Sequence, residues 1–263
     1  MAFPTYIYGY PGDEKNASTA EINGIPLGQR MIIDEREFRL AKLGAAAAVA
    51  GNVYKGAILA VADTMLSYGM VLSGTVAVGA TSATIVTSGT TAFTANQFKD
   101  GYLCIASSTG TGIGYAYKIK ANNSAAAGST NCTVTLYDTD PIKVALAGAT
   151  TRVALVPNQY RAIIVTTADT VMGSKIVGVA CATAAASAYI WVQTKGPAAV
   201  QTGATALVAG HPVTCSTVTA GVVGPAPIAN TTLLTNGKQL TIIGYGLTEA
   251  VAVGFAMVNL TLD

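Results

Sequence analysis

The chain has 263 residues, of which 51% are hydrophobic and only 11% charged, with a formal net charge of +2. This balance excludes a disordered chain, and the fifteen Lys and Arg are scattered, which excludes the concentrated basic footprint of a nucleic-acid or anionic-membrane surface. Helix-forming Glu, Lys, Leu and Arg are scarce beside Ala, Gly, Thr and Val, so an all-β fold is expected, in one large domain or two of ordinary size.

Residues 1–30 are rich in Pro, Gly and Tyr, with Tyr6, Tyr8 and Tyr10 spaced by two before Pro11-Gly12. They read as an extended arm. No basic stretch followed by an apolar one opens the chain, so synthesis and folding in a cytoplasm is expected. Between Asp13 and Lys42 lie eleven of the charged residues, a solvated or partner-facing strip. Residues 30–33, the Asp34-Glu35 corner and the alternating residues 36–42 predict a hairpin, with a helix from Asp34 through Ala50 as the competing reading. Gly44 and Gly51 shorten that helix to a turn or two. Residues 47–53 and 206–213 share an apolar run, a glycine and a valine, which suggests a duplicated corner.

From Ser73 to Val156 the texture changes to short alternating runs at 75–78, 83–87, 101–105, 114–120, 131–136 and 151–155, separated by Gly, Asn, Asp and Ser. Such spacing predicts a small barrel or sandwich. We therefore expect an arm (1–30), a discontinuous β-sandwich or barrel body (31–70 and 159–263), and a second small β domain (71–158) inserted between the two parts of the body. Residues 176–194 are uncharged over the length of a marginal membrane span. Thr183, Ser187, Gln193 and several alanines make them two strands around a small-residue turn instead. Tyr189 to Thr194 alternates as a strand, which Lys195-Gly196-Pro197 is expected to end, and a further strand is expected over 204–209. Between Gly196 and Asp263 only Lys238, Glu249 and Asp263 carry a formal charge. An ordinary domain is roughly 25% charged, so part of this surface is expected to face another protein.

Residues that could carry catalysis do not assemble. His211 is the single histidine and is followed by Pro212; with Cys215 and Ser216 nearby it lacks the rest of a triad or a zinc site. Cys104, Cys132, Cys181 and Cys215 form no C-x-x-C pair and read as buried, unbridged thiols. The run from Gly110 to Gly114 precedes a strand-like stretch rather than the helix that a dinucleotide fingerprint requires, so it reads as a hairpin loop. Asp138 and Asp140 before Pro141 read as a turn. No catalytic, cofactor or metal residue is assigned, and no small-molecule substrate.

Several stretches resemble virion structural proteins of tailed bacteriophages: Phe93-Thr-Ala-Asn-Gln-Phe-Lys-Asp-Gly-Tyr-Leu103, Gly114-Tyr-Ala-Tyr-Lys-Ile-Lys120, Val134-Thr-Leu-Tyr-Asp138, Trp191-Val-Gln-Thr-Lys-Gly-Pro-Ala198 and Ala206-Leu-Val-Ala-Gly210. The type they most resemble is the capsid decoration, or cement, protein. The resemblance implies a β-rich subunit without enzymatic activity, present in many copies on the outer capsid of the virion. Such a subunit often forms a homotrimer and bridges neighbouring major capsid proteins; the scattered charge separately leads us to expect neither nucleic acid nor membrane as a partner. A tail-tube or other tail subunit is the alternative within a particle. A carbohydrate-binding adhesin, marked by a Tyr and Trp cluster beside Asp or Asn, is the alternative outside one. The candidate interaction residues are Tyr6, Tyr8 and Tyr10 on the arm, with Trp191 and Val253; residues 190–192 and 251–255 are expected as core and contact.

Overall fold

The computed structural model describes residues 6–22, 24–57, 70–87, 92–106, 111–128, 130–148, 150–167, 175–226 and 241–262. Residues 1–5 of the expected arm, Gly110, Lys238 and Asp263 lie outside these. The chain is all-β. In order the strands are β1 (Tyr6–Tyr8), β2 (Ala17–Ser18), β3 (Arg30–Ile33), β4 (Arg36–Lys42), β5 (Val53–Lys55), β6 (Met70–Leu72), β7 (Ser82–Val86), β8 (Tyr102–Ile105) and β9 (Ala116–Asn122). They continue as β10 (Asn131–Leu136), β11 (Arg152–Val156), β12 (Ile164–Val165), β13 (Ile176–Ala180), β14 (Tyr189–Gln201), β15 (Pro212–Cys215), β16 (Val223–Pro225), β17 (Ile242–Gly246) and β18 (Phe255–Thr261). The one helical element among the described residues is a single 3-10 turn, Asp13–Lys15.

Two compact units result, Met1–Ile58 with Gln159–Asp263 and Leu59–Asn158. The second is a closed six-stranded barrel in the order β10-β7-β6-β11-β8-β9, which leaves none of those strands with an open edge. Its strands alternate, so Leu103, Ile105, Tyr117, Ile119, Val134, Leu136, Val153 and Leu155 point inward and are buried. The runs at 83–87, 101–105, 114–120, 131–136 and 151–155 all lie on strands. The run at 75–78 makes only a bridge from Val76 to Leu146. The glycines Gly112 and Gly114, both at positive φ, turn the chain between β8 and β9.

The other unit is built on a sheet in the order β1-β3-β4-β14-β18-β17-β15-β16, with β13, β5, β12 and β2 branching from it. The β3–β4 hairpin turns at Asp34 (φ 52°) and pairs Met31 with Phe38. The described part of the segment read as an arm is stitched into this sheet: β1 pairs in parallel with β3, and β2 pairs with β14. Lys195-Gly196-Pro197 does not end its strand. The register of β14 against β4 shifts between Gln193 and Lys195, the pairing with β4 ends at Lys195 beside Glu37, and the strand continues to Gln201 alongside β18. Past Lys195 the side that faced β4 has no strand neighbour, which is the setting in which a proline is tolerated. The two halves of β14 serve two cores. Ile190, Trp191 and Val192 pack with Phe38 and Leu40, whereas Ala198 and Val200 pack with Val213, Ile243, Val258 and Leu260. The chain leaves and re-enters this unit at neighbouring points, since β5 pairs with both β12 and β13.

The duplicated corner is present, and it recurs more widely than residues 47–53 and 206–213. Ala48 exchanges backbone hydrogen bonds with Ala184, Leu207 with Ala250, Val76 with Leu146 and Phe93 with Ala125. Three residues after each of Ala48, Leu207, Val76 and Phe93, the chain enters the left-handed region, at Gly51, Gly210, Gly79 and Asn96. The N–H of each donates to a carbonyl shortly before the bridge partner, four residues earlier for Gly51, Gly210 and Gly79 (Ala180, Gly246 and Ile142) and three earlier for Asn96 (Asn122). The partners mirror the rule in the body, where Ser187 (φ 63°) donates to Gly44 and Val253 (φ 57°) to Gly203. Every bridging residue is buried. A buried apolar residue followed three later by one that tolerates positive φ is thus the device with which both units pair their corners.

Candidate interaction surface

One face of the β14–β18–β17 sheet is covered by core and the other is open. Along β18 the pattern is strict: Ala256, Val258 and Leu260 are buried while Phe255, Met257, Asn259 and Thr261 face outward. The register places Ala199 beside Met257, Pro197 beside Asn259 and Gln201 beside Phe255 on β14. On the other flank Tyr245 stands beside Asn259, and the Leu247 N–H donates to the Met257 carbonyl. A bulge in β17 after Ile242 turns Ile242 and Tyr245 to the same outer side and leaves Ile243 inside. Phe255 is 59% exposed and Tyr245 47%. Lys195, in the middle of β14 beside Thr261, is the formal charge these strands place on that side, and it pairs with Glu37 at 3.3 Å.

Beside this face opens a cleft of about 340 Å³. Pro197, Ala199, Phe255 and Met257 line one side; Glu14, Lys15, Arg36 and Cys181 lie on the other. Burial of Glu14 favours its neutral form, but the Gly12 N–H donates to its carboxylate at 2.7 Å and Arg36 pairs with it at 3.3 Å. With its own backbone N–H these outweigh the burial and hold the carboxyl below the ordinary glutamate range. Glu37 behaves alike: burial pushes it up, and Arg30 at 2.6 Å with Lys195 brings it below its usual value. Burial drives the Cys181 thiol up to about 12, so it is not a nucleophile poised in the cleft.

The expected interaction residues do not converge. Tyr6, Tyr8 and Tyr10 are exposed at the β1 edge of the sheet, with the Tyr6 and Tyr8 rings edge to face at 5.4 Å. Val253 is 76% exposed in the loop that leads into β18. Trp191 is corrected: at 5% exposure it is part of the core around Phe38 and Leu40, because β14 has neighbours on both sides there. The residues that make the open face were legible only as a region, 251–255. The sharper signal is the uncharged alternation Phe255, Met257, Asn259, Thr261 in the last strand.

His211 is exposed in a turn, and Cys215 is buried with its thiol raised to about 12 by burial. Asp138 pairs with Lys120 at 3.1 Å, and Asp140 accepts the Lys118 N–H at 2.7 Å, so both carboxylates tie strand ends. Among the described residues no group of three His, Cys, Asp or Glu could hold a metal ion, and no helix is long and apolar enough to cross a membrane. No family model, curated protein or solved structure matches the chain.

Proposed function

We propose that the chain is a structural subunit of a tailed-phage particle, acting without catalytic turnover, that decorates the head and bridges major capsid proteins. The observation that carries this reading is the open apolar face of β14, β17 and β18, whose exposed Phe255, Tyr245 and Met257 stand on a regular sheet. Apolar area of this kind on a rigid scaffold is built for association. The placement in a phage particle rests on the sequence resemblance. The exposed tyrosines of β1 offer a second contact at the sheet edge, where unpaired backbone groups invite a neighbour. The adhesin alternative loses its tryptophan platform, since Trp191 is in the core.

Gold-labelled antibody against the chain, applied to purified virions, tests the reading. Label on heads is the expected result. Label confined to tails favours the tail subunit, and purified particles without label overturn the proposal.

A further inference from the structure

We infer that the open face of β14, β17 and β18 is covered by the same face of a second copy of this chain, about a twofold axis. The inference deepens the reading of the chain as an assembly subunit and rests on it.

Area is the first argument. At roughly 150–250 Å² per aromatic residue, Tyr245 and Phe255 at 47% and 59% exposure leave roughly 200 Å² open. Ile242, Leu247 and Met257, with Pro197 and Ala199 between them, bring the patch to roughly 500 Å², the upper range for the largest apolar patch of an ordinary monomer. Flanking polar side chains and the exposed valines of the β17–β18 loop extend it toward the roughly 800 Å² per partner of a standard interface.

Chemistry is the second argument, and it selects the occupant. These strands put no acidic side chain and, beyond the paired Lys195, no basic one on that side; the nearest charges, Glu14, Lys15 and Arg36, stand across the cleft, where Glu14 and Arg36 pair with each other, so the strands themselves offer a charged partner no contact. A second copy is apolar in the same places. Asn259 sits near the middle, between Tyr245 and Pro197. Its amide both donates and accepts, so about a twofold axis it can satisfy the Asn259 of a second copy, as an isologous contact requires. A face pressed on its own copy closes at two, where the resemblance implies three.

Sedimentation equilibrium of the full chain at micromolar concentrations is the test. The wild-type chain is expected as a dimer. Phe255→Asp should weaken the dimer about tenfold or more by placing an unpaired charge in the contact. Asn259→Asp, nearly isosteric, sets like charges against each other and should weaken it in a protein whose melt is unchanged. Val218→Asp, an exposed apolar position outside the face, should leave it intact. A wild-type monomer or trimer, or a dimer indifferent to both Phe255→Asp and Asn259→Asp, overturns the inference. A monomer that still labels phage heads leaves the structural role standing and gives the face to another particle protein. A face-dependent dimer absent from virions does the reverse.

Discussion

Val253 is a β-branched residue held at φ 57°, in a position where the matching corners carry Gly51, Gly79, Gly128, Gly210, Asn96 and Ser187. An L-residue in the left-handed region costs roughly 1–2 kcal/mol, and a β-branched one belongs at the upper end. Val253→Gly removes that strain. Against it stand roughly 0.4–1 kcal/mol for the freer unfolded chain and, for a side chain 76% exposed, about 0.5 kcal/mol of lost burial. The net expectation is a stabilisation of about 0.5–1 kcal/mol, or about 1–3 °C in melting temperature for a chain of this size. Val253→Asn, which tolerates the same backbone without glycine's freedom, should do at least as well. Trp191 is the single tryptophan and lies in the body's core, so urea unfolding of dilute protein followed by its fluorescence reports the unit that contains the substitution. Val251→Gly is the control: 78% exposed and at negative φ, it should lose stability. If Val253→Gly lowers the midpoint as Val251→Gly does, the corner argument is wrong.

The carboxylates give a pH prediction. Glu14 and Glu37 are held below the ordinary range in the fold, so their contribution is complete above the unfolded value of roughly 4.3 and is lost as pH falls through the lower folded values. Glu37→Gln should lower stability at neutral pH and flatten the acid limb of the stability curve; an unchanged limb would remove Glu37 from the account. Cys132, Cys181 and Cys215, raised by burial to about 11, 12 and 12, should resist maleimide at pH 8 until the chain is unfolded, and rapid native labelling of Cys181 would contradict its placement. Residues 59–158 expressed alone should melt cooperatively in tyrosine near-ultraviolet circular dichroism, because the barrel closes on its own core; a gradual melt would show that it depends on the rest of the chain. His211→Ala should leave the melt within about 0.5 kcal/mol of wild type, as for an exposed turn residue.

The alternation of the β3–β4 stretch and of residues 131–136 made those strands legible, since each has one face in a core and one outside it. Where both faces are covered the pattern fails. Tyr189 to Thr194 is buried throughout, so nothing in it distinguished Trp191 as core from Trp191 as contact. Pro197 misled for a different reason: whether a proline ends a strand depends on which neighbour it has, and β4 stops pairing at Lys195 for reasons of register that lie in another part of the chain. The runs 75–78 and 204–209 look like strands because corner pairing needs the same buried apolar residue as a ladder. Only the glycine three positions later separates the two cases, and at Val253 and Ser187 even that mark is missing. The open face was visible as a shortage of charge, but which side chains form it follows from a bulge in β17 that no local pattern announces.

The β3–β4 hairpin must wait for its partner. On the ribosome Phe38 and Leu40 emerge about 150 residues before the first half of β14, a delay of roughly 10–30 s at ordinary rates of synthesis. The barrel, with every strand between Met70 and Val156, can close within that interval. Its closure draws the ends of a long loop together, so β4 and β14 meet across a short effective separation rather than a long one. Until then the nascent chain shows a sticky, half-built sheet with few charges further along to keep it soluble, and chaperone demand during synthesis should exceed what the finished protein's stability suggests.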